Sequence, residues 1–292
     1  MTAVNAALLG SILLAGLVLA IAWVAAARRA PDTRWPRWSE LLVGFVVAFF
    51  DTLGIGSFAP TTAAYKLLRL VPDERIPGTL IVGTAASVIL QSLIFITSVA
   101  VAPALLAAMI VAAATGAWFG AGVVMHLPRR AIQAGMGAAL LIAATVFALM
   151  NLGLLPGGGA ALDLVGWRFP VAVLASLVLG ALMTVGIGMY APTMILLATF
   201  GMHPLAAFPV MMGACALLQP VSGVRFVRGG WLAWGPALGL AIGGVPAVLL
   251  AAFVVKSLPL ETLRWGVVLV VLDAAFAMLR SASTALSREP SA

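Results

Sequence analysis

The chain has 292 residues, 63% of them hydrophobic and only 9% charged, with a formal net charge of +7. A soluble domain carries about a quarter of its residues as Asp, Glu, Lys and Arg, so this composition excludes a water-exposed globular fold. The basic residues flank apolar runs, which reads as membrane orientation and not as nucleic-acid binding. The single cysteine, Cys215, leaves no disulfide framework or Cys-based metal site.

A membrane-spanning helix needs about 20 apolar residues. The first such run, Ala3 to Ala27, lacks a basic start and a small-residue cleavage site, and Arg28 and Arg29 follow it. It is expected to be a retained helix, entering from outside and followed by a basic cytoplasmic loop to residue 37. The next apolar stretch, 38–71, is interrupted by Thr52-Leu-Gly-Ile-Gly-Ser-Phe-Ala-Pro-Thr61. Three uninterrupted runs follow: Ile76 to Ala100, Pro103 to Met125 and Ala131 to Leu155. After the Gly-rich loop at Pro156 to Gly159, the stretch 169–201 carries a second interruption, Thr184-Val-Gly-Ile-Gly-Met-Tyr-Ala-Pro-Thr193. The runs Leu205 to Val224, Leu232 to Val255 and Leu263 to Leu279 complete the series.

The two interruptions agree at seven of ten positions at an offset of 132. Leu127-Pro128 with Ile132 and Gly135 matches Leu258-Pro259 with Leu263 and Gly266 at an offset of 131. Two separated matches at nearly one offset predict an internal duplication. Its bounds are residues 38–155 for the first repeat, 156–168 for a periplasmic linker, 169–284 for the second repeat and 285–292 for a cytoplasmic tail.

Within each interruption the glycines weaken a helix and the proline suits the first turn of a new one. Each stretch therefore predicts two short helices, about 38–54 with 58–71 and about 169–186 with 190–201. Charge decides whether the chain turns back at the break. With re-entrant hairpins, Arg28, Arg29, Arg34, Arg37, Lys66, Arg69, Arg75, Arg129, Arg130, Arg225, Arg228, Arg280 and Arg288 share one side. Only Arg168, Lys256 and Arg264 face the other, 13 against 3. With broken spans the same 16 residues divide nine against seven. The positive-inside rule selects the hairpins. The expected fold is an all-α polytopic membrane protein of two inverted repeats, each a broken-helix hairpin plus three transmembrane helices, with one extra N-terminal transmembrane helix.

Irregular backbone at membrane depth lines cavities or is buried in protein, and two opposed breaks point to a midplane site. The second short helix of each hairpin starts with unpaired amides and a positive dipole end, which stabilise an anion. Gly54, Gly56, Gly186 and Gly188 admit a ligand to the backbone. Ser57, Thr61, Thr62, Thr193 and Tyr190 add hydroxyl donors. Neighbouring runs supply Thr84, Ser87 and Gln91, and then Gln219 and Ser222, with Gln91 and Gln219 loosely equivalent. The bland alternative is that the glycines serve helix packing, the threonines bond back to carbonyls and the amides join helices. Asp51 and Asp273 lie inside apolar runs, where a carboxyl is a functional hypothesis by default, and proton coupling is the role compatible with an anion. Asp51 has Met183 as its counterpart. Lys66 and Arg69 read as topology anchors, with attraction of anions to the inner mouth as the alternative. His126 and His203 fall at helix ends and are poor metal ligands. No cofactor or metal site is expected, and no nucleophile–base pair or nucleotide loop is present.

Through Gly54-Ile-Gly-Ser-Phe-Ala-Pro60, Gly186-Ile-Gly-Met-Tyr-Ala-Pro192 and the repeated Leu-Pro turn, the chain resembles the TauE/SafE sulfite exporter family, also called the 4-toluene sulfonate uptake permease family, over about residues 40 to 282. It departs from that family's run of consecutive glycines, with Ser57 and Met189 following the second glycine. The resemblance implies movement of sulfite or organosulfonates. The expected function is a secondary transporter of small sulfur-containing anions, read as an exporter in the bacterial inner membrane. Its partners are an anionic substrate and the lipid bilayer, with no nucleic acid, and a homodimer is compatible. The alternatives are a cation or neutral-solute carrier, and a non-transport membrane subunit or enzyme.

Overall fold

The computed structural model describes residues 2–30, 33–154 and 158–253, together with positions 272, 276 and 279. The described chain is helical, with no strand beyond one isolated bridge between Ala161 and Met202. Its helices are α1 (Ala3–Ala27), α2 (Trp38–Thr52), α3 (Phe58–Leu67), α4 (Ile76–Ser98), α5 (Pro103–Val124), α6 (Arg129–Asn151), α7 (Arg168–Met183), α8 (Tyr190–Thr199), α9 (Ala207–Gly229) and α10 (Trp234–Phe253). Among the described residues, five elements are long and apolar enough to cross a membrane: α1, α5, α10, and α4 and α9 with the 3-10 turns that lead into them. The chain is a multi-pass helical membrane protein.

The four short helices end earlier than the apolar pattern predicts, and the backbone shows why. Past Thr52 the chain turns through Gly54 and Gly56 at φ +90° and +87°, which L residues rarely adopt. Past α7 it turns through Gly186 at φ +108°, whereas Gly188 keeps an ordinary φ. Helix α3 stops at Arg69, whose φ of +51° lets the Leu70 amide donate to the Tyr65 carbonyl at 3.1 Å. Helix α8 stops in the same way at Gly201, with the Met202 amide donating to the Leu197 carbonyl at 3.0 Å.

Tertiary contacts fix where each short helix begins and ends. At the start of α2, Glu40 pairs with Arg34 and accepts from the Arg37 amide at 2.8 Å, against Gly239 of α10. At the end of α3, the Tyr65 hydroxyl donates to the Pro236 carbonyl of α10 at 3.1 Å. The chain thus leaves α3 beside the start of α10, where it entered α2. At the start of α7, Arg168 donates to the Phe200 carbonyl at 3.2 Å and Trp167 meets the Phe200 ring edge-on, so α8 ends where α7 began. That site adjoins the start of α5, where the Ala102 amide donates to the Leu162 carbonyl at 3.0 Å. The starts of α5 and α10 lie at opposite ends of the bundle, because Arg225, late in α9, reaches the Trp118 carbonyl late in α5.

Packing is reciprocal. Helix α2 lies on α10 and α7 lies on α5, while α4 and α9 form the central pair. Glycine makes both close crossings possible: a Cβ on Gly44 would run into the Gly239 carbonyl, and one on Gly116 into the Leu177 carbonyl. Helix α1 packs outside on α9 and α4, with Leu13, Leu14, Leu17 and Ile21 left exposed as a lipid-facing surface requires.

At the end where α3 finishes, Asp73 is buried in a charge cluster. It accepts from Lys66 and from the Gln133 amide, both at 2.6 Å, while Arg129 lies 3.7 Å from Asp73 and 3.3 Å from Glu74. Lys66 is therefore held by a carboxylate and ties the end of α3 to the start of α6. The Leu258-Pro259 turn, Lys256, Arg264, the expected tail and all of the final run except positions 272, 276 and 279 lie outside the described residues.

Replacing Gly116 by Val is expected to lower the melting temperature of the detergent-purified protein, corresponding to about 1–3 kcal/mol of overpacking. Gly10→Val, where a Cβ meets nothing within 4 Å, carries the same change in helix propensity and is expected to leave the melting temperature within about 2 °C of the parent.

Candidate membrane-buried binding site

The two backbone breaks meet. A Cβ on Gly56 would stand 3.6 Å from Cβ of Tyr190, and one on Gly188 would stand 3.3 Å from Cβ of Phe58. Phe58 and Tyr190 are the first residues of α3 and α8, so each helix start covers the opposite break. Neither start carries a side-chain cap: Ser57 makes no capping bond to α3, and Met189 has no capping oxygen for α8. Pro60 and Pro192 remove one donor from each first turn, leaving the amides of Phe58 and Ala59, and of Tyr190 and Ala191, at the two dipole ends.

Between the breaks lies a cavity of about 50 Å³. A void of this size holds a few waters or one compact ion. Of the residues singled out in the sequence, Asp51, Gly56, Ser57, Gly186, Gly188, Tyr190 and Gln219 line it, with apolar walls from α6 such as Leu140 and Ala143. Asp51 is the one carboxyl among the described residues that line it.

Gln91 stands behind this wall and joins the hairpins. Its amide nitrogen donates to Asp51 Oδ2 and to Thr52 Oγ1, both at 3.0 Å, and its carbonyl accepts from the Tyr190 hydroxyl at 2.9 Å. Thr52 passes its own proton to the Ala48 carbonyl at 2.8 Å. The donor directions agree throughout, so one amide links α2 to α8 through α4. Asp51 Oδ1 closes no hydrogen bond, although Ser57 and Tyr190 adjoin the carboxyl.

Gln219 approaches from α9. Its side-chain amide meets the Thr84 hydroxyl at 3.2 Å, but that hydroxyl's single proton goes to the Leu80 carbonyl at 2.8 Å, so the buried Gln219 amide is left short of partners. A buried amide donor left unmade costs about 1–3 kcal/mol. The lining thus includes a Gln219 amide and an Asp51 carboxyl that are each left short of a hydrogen bond, beside two uncapped helix starts.

Several expected site residues do other work. Gly54 does not line the cavity; it accommodates Phe208, whose Cζ would lie 2.9 Å from an added Cβ. Thr61 is unavailable to a ligand because its hydroxyl donates to the Ser57 carbonyl at 2.6 Å. Thr62 and Thr193 are buried with unpaired hydroxyls but lie outside the lining. Ser87 and Ser222 bond back to the Thr84 and Leu218 carbonyls. Gln91 and Gln219 are not equivalent: Gln91 is the sixteenth residue of α4 and Gln219 the thirteenth of α9, most of a turn apart. Asp273 lies outside the described residues. The α6 wall was not anticipated, since an unbroken apolar run carries no mark of the side that faces a cavity.

Compared with family models, curated proteins and solved structures, the chain matches none.

Gln91→Leu strips partners from Asp51, Thr52 and Tyr190 together, and is expected to lower stability by about 1–3 kcal/mol. Tyr190→Phe removes one of the same bonds, so the double variant is expected to lose less than the sum of the two single losses. Reversible denaturation of all three in micelles, read as a double-mutant cycle, measures that coupling.

Proposed function

We propose that this chain is a secondary transporter of small oxyanions, working by alternating access between two inverted repeats whose broken hairpins meet at a central site. The observation that carries the reading is the cavity between two mutually facing, uncapped helix starts, with the incompletely paired Gln219 amide in its lining. Helix starts of this kind are ready-made anion sites, and in hydrocarbon no water competes for their amides. Inversion is supported by the hairpin ends, one beside the start of α10 and the other beside the start of α5. The duplication itself is supported by helices that recur at a constant offset of 131, Ile76 against Ala207 and Pro103 against Trp234.

Sulfur oxyanions such as sulfite or a small sulfonate head are the proposed substrates, on the resemblance of the two breaks to the sulfite exporter family and on the small cavity. Asp51 sets the coupling. An ionised carboxylate and an anion repel across one cavity, so the anion binds while Asp51 is protonated, and the proton moves with it or against it. An inside-negative membrane potential favours outward movement of an anion by about 2.3 kcal/mol per charge per 100 mV. A bacterial inner membrane is the setting in which that drive and the basic face of the bundle agree.

A second reading, a carrier of a small cation, rests on the open Oδ1 of Asp51 beside the carbonyl ends of α2 and α7. Flux into proteoliposomes separates the two. Saturable uptake of sulfite, thiosulfate or a short sulfonate is expected, accelerated by a pH gradient. Gln219→Leu is expected to raise the apparent KM about ten-fold, equivalent to about 1.4 kcal/mol. Asp51→Asn is expected to retain anion flux and lose its response to the gradient. Folded protein that moves none of these anions but carries a monovalent cation would establish the second reading.

A further inference from the structure

Away from the central cavity, a groove of about 750 Å³ opens where α1 ends against the 3-10 turn at Asp73–Arg75, the last turn of α9 and the start of α10. Three arginines converge on it from distant parts of the sequence: Arg29, Arg75 and Arg228. All three are exposed, and among the described residues none makes an ion pair. No acid lines the groove among the described residues. Its floor is apolar, formed by α1 through Ile21 and Ala25, with the largely buried Trp234 at its edge.

Orientation in the membrane requires basic residues on one face, but it does not require them to converge on one apolar-walled recess. Three arginines around one groove, with no acid among its described lining, give it a positive charge that an anion offsets. Arginine suits phosphate because its planar fork donates two hydrogen bonds at once. The same recess offers an apolar wall continuous with the lipid-facing side of α1, where Leu14, Leu17 and Val18 are exposed. A ligand that matches both halves has a phosphate at one end and a hydrocarbon chain at the other.

We propose that this groove binds an anionic phospholipid, its phosphate held by Arg29, Arg75 and Arg228 and an acyl chain lying along α1. Basic recesses between transmembrane helices bind such headgroups, each cation near the anionic surface adding to the attraction. A headgroup with two phosphates neutralises three guanidiniums better than one with a single phosphate, so cardiolipin ranks above phosphatidylglycerol. The lipid joins the end of the peripheral helix α1 to the ends of α9 and the turn before α4, and so stabilises the seam between α1 and the bundle. This inference is independent of the transported substrate.

The test is native mass spectrometry and thermal unfolding of the full chain in detergent, titrated with cardiolipin, phosphatidylglycerol, phosphatidylcholine or inorganic phosphate. Retained cardiolipin adducts and a rise in melting temperature are expected, with a smaller rise for phosphatidylglycerol and none for phosphatidylcholine. The Arg29→Gln/Arg75→Gln/Arg228→Gln variant is expected to bind cardiolipin at least ten-fold more weakly, while Arg130→Gln, outside the groove, binds normally. Arg228→Gln alone, with a salt titration of the parent chain, provides the same reading if the triple variant does not fold. Equal binding of phosphatidylcholine, or undiminished affinity in the arginine variants, overturns the proposal. An equal response to inorganic phosphate makes the groove an ion site and overturns it as well. Asp32 follows in the sequence, outside the described residues; Asp32→Asn is expected to leave lipid affinity unchanged, and a ten-fold gain would mean that this carboxylate is the groove's own anion.

Discussion

A backbone amide or carbonyl left unpaired in hydrocarbon costs several kcal/mol, and this chain interrupts its helices twice inside the bundle. Neither break can face lipid. Each is covered by the first residue of the other hairpin, Tyr190 over Gly56 and Phe58 over Gly188. The mutual cover requires both hairpins to reach the same level from opposite ends of the bundle. That in turn sets the short helices at 10 to 16 residues and places α4 and α9 between them as the central pair. The close crossings of α2 with α10 and of α7 with α5, free of side chains at Gly44 and Gly116, bring the hairpins near enough for this to work.

The two halves share a plan but not their polar chemistry. Asp51 has Met183 as its counterpart, and Gln91 has no amide opposite it at the same level of α9. A single amide therefore ties the carboxyl of the first hairpin to the hydroxyl of the second. At the membrane edge the difference recurs. The first hairpin ends in the Lys66–Asp73–Gln133 cluster, whereas the second ends in backbone bonds around Gly201 and Ala161 with Arg168 reaching across. Even the stop of the short helix differs, a glycine at 201 and an arginine forced to positive φ at 69.

Much of this was legible in the residues. Glycine and proline marked both breaks, because those residues alter the backbone whatever surrounds them. Charge argued for hairpins over broken spans, and α3 does return to the end of the bundle where α2 begins. Side-chain partners were less legible. Thr61 and Thr193 occupy equivalent positions in the motif, yet one hydroxyl is bonded to the Ser57 carbonyl and the other is not. Gln91 was open to two readings, ligand donor or helix-joining amide, and its bonds join helices through Asp51 and Tyr190, 40 positions before it and 99 after it, a pairing that no local pattern reveals. The buried cluster at Asp73 drew no notice, because an acid beside arginines in a short loop looks the same whether it is solvated or enclosed. The helix ends were overestimated for a related reason: hydropathy continues through Leu68 and Phe200, while the backbone has already turned.

The pairing of α2 with α10 also bears on biosynthesis. During synthesis the first hairpin emerges about 180 residues before the helix that shelters it, whereas the second hairpin meets a partner, α5, that is already made. Two helices of 15 and 10 residues, carrying Glu40, Asp51 and an open turn, are poor independent guests in lipid. The first hairpin is thus among the earliest parts to leave the ribosome and among the last to be housed. In the interval it must wait at the membrane surface or against the insertion machinery. Membrane insertion of this protein is therefore not a simple N-to-C threading of spans, and a chain stopped before residue 234 would leave its first hairpin without a berth.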